Sequence, residues 1–129
     1  MVGLESKAKE FPTKLSGGQK RRVAIAGVFA MEPEMIVLDE PAAGLDPMGR
    51  EEILGGICSY QKATGNTVII VSHSMEDMAK YTDDLVVMNK GKIYMNGTCG
   101  DIFSHSELLS GVGLDVPQVT KLMLQLKSK

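Results

Sequence analysis

Two continuous apolar runs, Met35-Ile36-Val37-Leu38 and Val68 to Val71, are each bounded by polar residues on both sides. Short runs bounded by polar residues predict strands buried on both faces of a parallel sheet. Between them Ile53, Leu54, Ile57 and Tyr60 recur at helical spacing. Asp46-Pro47 supplies a cap and a first-turn proline, and Gly65-Asn66 a stop, so a helix is predicted to about Thr64. A strand-helix-strand of this length implies parallel pairing through a right-handed crossover. Upstream, Ala24, Ile25, Val28 and Phe29 form the apolar stripe of a helix predicted from Gly17 to about Met31, with Pro33 closing its connection to the first strand.

The flanks are less regular. Met1 to Lys14 predicts a short helical turn around Val2 and Leu4, a polar stretch, and an end to regular structure at Phe11-Pro12. After the second strand, Ser74 is expected to cap a short helix from Met75 to Lys80. Leu85 to Met88 and Ile93 to Met95 flank Asn89-Lys90-Gly91-Lys92, which predicts a β-hairpin. Gly97-Thr98 to Phe103 suggests another capped helical turn, and Pro117 starts a terminal helix with Val119, Leu122, Met123 and Leu126 on one face. That face needs a partner or a place on its own domain. The fold class is therefore α/β, with parallel strands, flanking helices, a C-terminal hairpin and terminal helices.

Candidate chemistry sits at two element ends. Ser16-Gly17-Gly18-Gln19 is an S-x-x-Q capping box, whose hydroxyl and amide satisfy orphan backbone donors at a helix start. Its two glycines leave the backbone N–H groups uncovered, so a phosphate can approach the positive end of the helix dipole, worth ~0.3–1 kcal/mol by itself. Asp39 and Glu40 follow the first apolar run at once, and in open α/β sheets ligands bind beyond the carboxyl ends of strands. Adjacent residues of an extended chain point in opposite directions, so one carboxylate can face a metal ion and the other a water. His73, just past the second run, is expected at the same sheet edge as Glu40. His105, in the polar run Ser104-His105-Ser106-Glu107, reads as solvated.

Composition narrows the partners. The chain has 129 residues, 43% of them hydrophobic, enough for one ordinary domain and one core. A formal net charge of −2 lacks the strong positive balance of a nucleic-acid binder. Lys20-Arg21-Arg22 is the compact basic cluster and reads first as a solvated helix face, with a second reading, from its place one turn into the helix, that a member approaches nucleotide or a partner subunit. Cys58 and Cys99 match no metal or redox spacing and suggest reduced thiols in a cytosolic protein. The apolar run from Val23 to Met31 falls well short of the ~20 residues that span a bilayer. The first residues resemble no signal peptide, so membrane association is expected only through a partner.

Four of these stretches resemble, in order, the motifs of ABC ATPases. Leu15-Ser16-Gly17-Gly18-Gln19 resembles the signature, Met35-Ile36-Val37-Leu38-Asp39-Glu40 the Walker B strand, Ala43-Gly44-Leu45-Asp46 the D-loop, and His73 the switch histidine. The wording VAIAGVFAMEPE and EPAAGLDPMGREEI is similar to the ATPase subunits of energy-coupling factor (ECF) importers of vitamins and metal ions. The resemblance implies a partial P-loop NTPase fold in which 1–32 end a helical subdomain, 33–103 carry the core and hairpin, and 104–129 form an extension. In ECF ATPases a segment similar to GVGLDVPQVTKLMLQLK helps pair two subunits. The resemblance also implies ATP and Mg²⁺ as cofactors: Asp39 for the metal, Glu40 for the attacking water, His73 for the γ-phosphate, and Asp46 in the D-loop. Ser16, Gly17, Gly18 and Gln19 would clamp ATP held by a second ATPase subunit, and transmembrane subunits would complete a transporter at the cytoplasmic face of the membrane.

The family's phosphate-cradling loop, G-x-x-x-x-G-K-[ST], is not in this sequence. The Gly91-Lys92 pair is followed by Ile93, and Val86 stands where the upstream glycine belongs. The adenine-stacking aromatic and Q-loop also find no match, and Ala42 replaces the Ser or Thr of many relatives. The expectation is a truncated form, with Met1 an internal methionine of the longer domain. The alternatives are a non-catalytic binding or regulatory half-domain and a cytosolic ABC ATPase outside transport.

Overall fold

The computed structural model describes residues 3–127. The chain divides into two compact units, one ending at Val71 and the other beginning at Ser72. Each unit gathers its own apolar cluster, and each is described by itself.

In the first unit, 3-10 turns at Glu5–Lys7 and Pro12–Lys14 precede α1 (Gly17–Phe29). Pro12 begins a turn where an end to regular structure was expected, because its fixed φ suits a first helical position. The expected turn around Val2 and Leu4 lies partly outside the described residues, and Leu4 itself is buried. Helix α1 stops two residues before Met31. Its last turn tightens through Met31 N–H to Val28 C=O (3.1 Å) and Glu32 N–H to Phe29 C=O (3.0 Å). Glu32 then turns left-handed (φ 49°) ahead of Pro33. Only Ile25 and Phe29 of the predicted stripe are buried, while Val28 is half-buried and Ala24 exposed.

Strand β1 (Met35–Asp39) pairs in parallel with β2 (Thr67–Val71), joined through α2 (Pro47–Thr64). Helix α2 follows its sequence signals. Asp46 accepts from the Gly49 N–H (2.9 Å), Pro47 opens the helix, and Gly65 closes it at φ 71°, a left-handed conformation that suits glycine. Its four predicted core residues, Ile53, Leu54, Ile57 and Tyr60, are all buried. Tyr60 stacks on Phe29 with centroids 4.0 Å apart, a contact worth ~0.5–1.5 kcal/mol beyond its buried area. Asn66 donates to the Pro33 carbonyl (2.7 Å) and to the Tyr60 hydroxyl (3.3 Å), tying the end of α2 to the start of β1.

The expectation of strands buried on both faces is corrected. Ile36 is 3% exposed, but its neighbours Met35 and Val37 are 56% and 61% exposed. In register, Met35, Val37 and Asp39 face the same way as Thr67, Ile69 and Val71, and this whole face is open among the described residues. A continuous apolar run reports that both faces suit burial; it does not report which face this chain covers.

The second unit contains α3 (Met75–Tyr81), an antiparallel hairpin of β3 (Asp84–Asn89) and β4 (Lys92–Thr98), α4 (Cys99–Ser104), α5 (Ser106–Gly111) and α6 (Gln118–Lys127). Ser74 caps α3 through the Asp77 N–H (3.4 Å). The hairpin turns through Lys90 and Gly91, both at positive φ (48° and 74°), the geometry that matches strand twist. Strand β4 continues through Gly97 and Thr98, expected at a helical turn, and Thr98 then caps α4. Helix α5 begins within the polar run Ser104 to Glu107 and buries Leu109 completely. Leu85, Val87, Ile102, Phe103 and Val116 complete the apolar cluster. Helix α6 starts on the Glu76 carboxylate, which accepts the Gln118 N–H (2.8 Å), yet Val119, Leu122, Met123 and Leu126 are all exposed. Packing of that face on its own domain, one of the two expectations, is not observed among the described residues.

The Lys121 ammonium, followed by the Val116 amide, holds the Asp115 carboxyl below its ordinary pKa. This contribution is present above the ordinary carboxylate pKa and lost as pH falls through the lowered value, and salt screens it.

The open β1–β2 face predicts self-association. Val37→Thr with Ile69→Thr keeps strand propensity while reducing apolar surface, so light scattering should set in at a higher chain concentration. An unchanged onset would show that another surface drives association.

Candidate nucleotide site

The predicted anion site is a formed helix start. Ser16 caps α1, its hydroxyl accepting the Gln19 N–H (3.3 Å) while the Gln19 carboxamide oxygen accepts the Ser16 N–H (2.9 Å). With those two donors satisfied, the Gly17 and Gly18 amides remain as orphan donors of the first turn. The glycines differ in surroundings. A Cβ at Gly17 would meet nothing within 4 Å, whereas one at Gly18 would lie 2.9 Å from the Leu45 Cδ2. Gly17 thus keeps open the approach of a ligand, and Gly18 permits the close approach of the loop after Glu40.

That loop is built on a left-handed residue. Asp39 ends β1 on the open face, and Glu40 follows with φ 44°. The Glu40 amide still donates to the Val71 carbonyl (2.8 Å), a last rung beyond the paired residues. The alternation argument for the two carboxylates is therefore corrected: Glu40 is left-handed rather than extended, so strand alternation does not set the direction of its side chain. A non-glycine residue in this region costs ~1–2 kcal/mol. The turn is held by Ala43 N–H to Glu40 C=O (3.1 Å) and Leu45 N–H to Ala42 C=O (3.3 Å), with Pro41 and Ala42 buried. Burial suits the small apolar Ala42.

The same loop leads into α2, where Asp46 acts as N-cap. Gly49 donates that bond through its N–H, and glycine leaves room for the carboxylate, since a Cβ there would sit 2.7 Å from the Asp46 Oδ1. His73 is exposed and lies two residues beyond β2, in the second unit. Asp39 pairs in register with Val71, so β1 and β2 end at the same level. His105 is exposed, its Nδ1 2.9 Å from the Asp101 carbonyl.

The basic cluster was misread in part. Arg22 forms an ion pair with Glu52 of α2, and Arg21 Nη1 donates to the Ala43 carbonyl and lies 3.5 Å from that of Pro41. Two of three cations are thus ties between α1 and the segments after Glu40. A run of like charges carries no mark of this in sequence.

A family model described as ABC transporter matches residues 1–43, which run through the capped helix start, β1 and the turn at Glu40. The chain is similar to ATP-binding proteins of ABC transporters. It is 55% identical to the energy-coupling factor transporter ATP-binding protein EcfA2 of Clostridium perfringens, an alignment covering all of this chain and 46% of the relative. The EcfA2 proteins of Clostridium tetani and Acetivibrio thermocellus are 55% and 53% identical with the same coverage. The chain thus spans about half the length of the curated relatives it matches. A solved structure of cbiO1 from Clostridium perfringens, described as part of the ABC transporter complex cbiONQ, superposes with a TM-score of 0.74 at 41% identity. That superposition covers 95% of this chain and 49% of the other.

Two substitutions at Glu40 isolate its backbone strain. Glu40→Ala and Glu40→Gly lose the same carboxylate contacts, but only glycine relieves the positive φ. In urea unfolding the glycine variant should exceed the alanine variant by ~1 kcal/mol. Equal stabilities would show that the turn carries no strain.

Proposed function

We propose that this chain supplies the C-terminal part of an ATP-hydrolysing subunit of an ECF-type ABC importer, coupling hydrolysis to uptake of a vitamin or metal ion. One observation carries the reading. A capped, glycine-opened helix start and a strand ending at Asp39 with Glu40 in the turn after it are tied together in a single compact unit, in the order and wording of the ECF ATPases. Residues 1–32, 33–103 and 104–129 would then be the signature end of the helical subdomain, the hydrolytic core with its hairpin, and the extension.

The residues present suit ATP and Mg²⁺. The orphan amides at Gly17 and Gly18 fit a phosphate, and an exposed Asp39 carboxylate is the hard oxygen donor that Mg²⁺ takes alongside waters and phosphate oxygens. When bound, the metal supplies neutralisation of the charge that develops on the transferring phosphoryl group. Asp39 would hold it directly or through water. Glu40 would orient or deprotonate the attacking water, a contribution of ~10²–10⁴ in rate. His73 is assigned to the γ-phosphate. Ser16, Gly17, Gly18 and Gln19 would close on ATP held by the phosphate loop of a second subunit, with Asp46 fixing the D-loop between.

The exposed stripe of α6 supports pairing with a second ATPase subunit through the C-terminal extension. No helix among the described residues is long and apolar enough to cross a membrane, so attachment to the cytoplasmic face would run through transmembrane transporter subunits. Mg-ATP titration of the chain with phosphate release as readout separates two outcomes. Little turnover fits a divided site, and steady turnover would contradict it.

The decisive variants are Glu40→Gln and Ser16→Arg in complete subunits paired with a distinguishable partner. Glu40→Gln should retain ATP binding, slow hydrolysis in its own site and accumulate closed dimers. Ser16→Arg, placing bulk and charge at the helix start, should impair hydrolysis at the partner's site. Single-turnover assays with one phosphate loop disabled at a time locate each defect. Both defects falling in the same site would overturn the reading.

A further inference from the structure

Arg21 stands one helical turn after Gly17, and its guanidinium reaches out of α1 to the backbone of the loop that follows Glu40. Its Nη1 donates to the Ala43 carbonyl and lies 3.5 Å from the Pro41 carbonyl. These carbonyls flank the buried Ala42 and begin one residue after the left-handed Glu40. A strained backbone persists only where its surroundings over-determine it. The Glu40 turn has a rung to Val71 on one side and two internal turn bonds on the other. Arg21 adds a charged donor from a different element, and hydrogen bonds with a charged partner are the stronger kind. Leu45, against which Gly18 packs, brings the same helix turn and the same loop together a second time.

We propose that Arg21 is a positioning residue that holds Glu40 in its left-handed conformation and so sets the carboxylate on the attacking water. It touches neither nucleotide nor water, and acts through the Pro41–Ala43 backbone. The proposal rests on Glu40 having the hydrolytic role given above. It also makes a physical link within one subunit between the helix start that serves the partner's ATP and the carboxylate that serves its own. Because one nitrogen serves both carbonyls, lysine can replace arginine here, whereas methionine keeps the aliphatic stem and loses the donor.

The test uses the complete subunit in its assembled transporter, with turnover measured over a range of ATP and amide exchange followed at Ala43 and Leu45. Arg21→Met should lower kcat by ~10²-fold, the cost of a misplaced catalytic group, with KM for ATP unchanged and both amides exchanging faster. Arg21→Lys should restore kcat and protection, and Lys20→Ala, next along the exposed face, should behave as wild type. A loss of kcat with unaltered exchange at Ala43 and Leu45, a rise in KM alone, or no change at all would each overturn the proposal. If Arg21→Met does not fold, the same substitution in the Glu40→Gly background decides. That background lacks the strain, so the double variant should fold, and its failure would show Arg21 to be a general structural tie. Full turnover by Glu40→Gln would instead sink the role assigned to Glu40, leaving the exchange result to judge the tie by itself.

Discussion

The hydrogen bond from the Glu40 amide to the Val71 carbonyl is the constraint on which the first unit depends. It extends the parallel ladder one step beyond Asp39↔Val71 and, because Glu40 is left-handed, ends the strand by turning the chain rather than letting it fray. The turn brings Pro41 and Ala42 into the interior, presents the Ala43 carbonyl to Arg21, and delivers Asp46 to the start of α2. A strand that simply ran on would carry the second carboxylate away from α1. The conformational cost at Glu40 is therefore the condition for a compact site, and several independent bonds meet it.

Two kinds of anion chemistry result, and they are held by different means. At the start of α1 the donors are backbone amides, positioned by the reciprocal Ser16–Gln19 cap and left bare by Gly17. At the end of β1 the groups are carboxylates, which repel phosphate unless a cation intervenes, so this end suits metal and water. One helix turn separates Gly17 from Arg21, and Arg21 bonds the loop after Glu40. The two ends are thus rigidly related although they serve different nucleotides in the proposed assembly.

Sequence made the elements legible where chemistry is local. Asp46, Pro47 and Gly65 each marked a helix boundary by a mechanism that needs no tertiary contact, and Ile53, Leu54, Ile57 and Tyr60 were read correctly as core. The Ser16–Gln19 box was equally plain. What failed depends on neighbours distant in the chain. The apolar runs of β1 and β2 announced strands but not that Met35, Val37, Ile69 and Val71 would be left open. Glu40 carried no sign of positive φ, since glycine and asparagine are the residues that advertise it. Arg21 and Arg22 looked like a solvated face because charge gives no direction. Helix α5 begins in a polar run, and its completely buried residue, Leu109, lies beyond that run.

The central claim is that Ser16 to Gln19 and Asp39-Glu40, though tied within one subunit, act on different ATP molecules. The most direct measurement is an ATP-bound structure of the assembled dimer carrying Glu40→Gln, which traps the closed state. The account predicts that each γ-phosphate lies beside residue 40 of one subunit and against the Ser16–Gly18 helix start of the other. A nucleotide held by residue 40 and by Ser16 of the same subunit would contradict it.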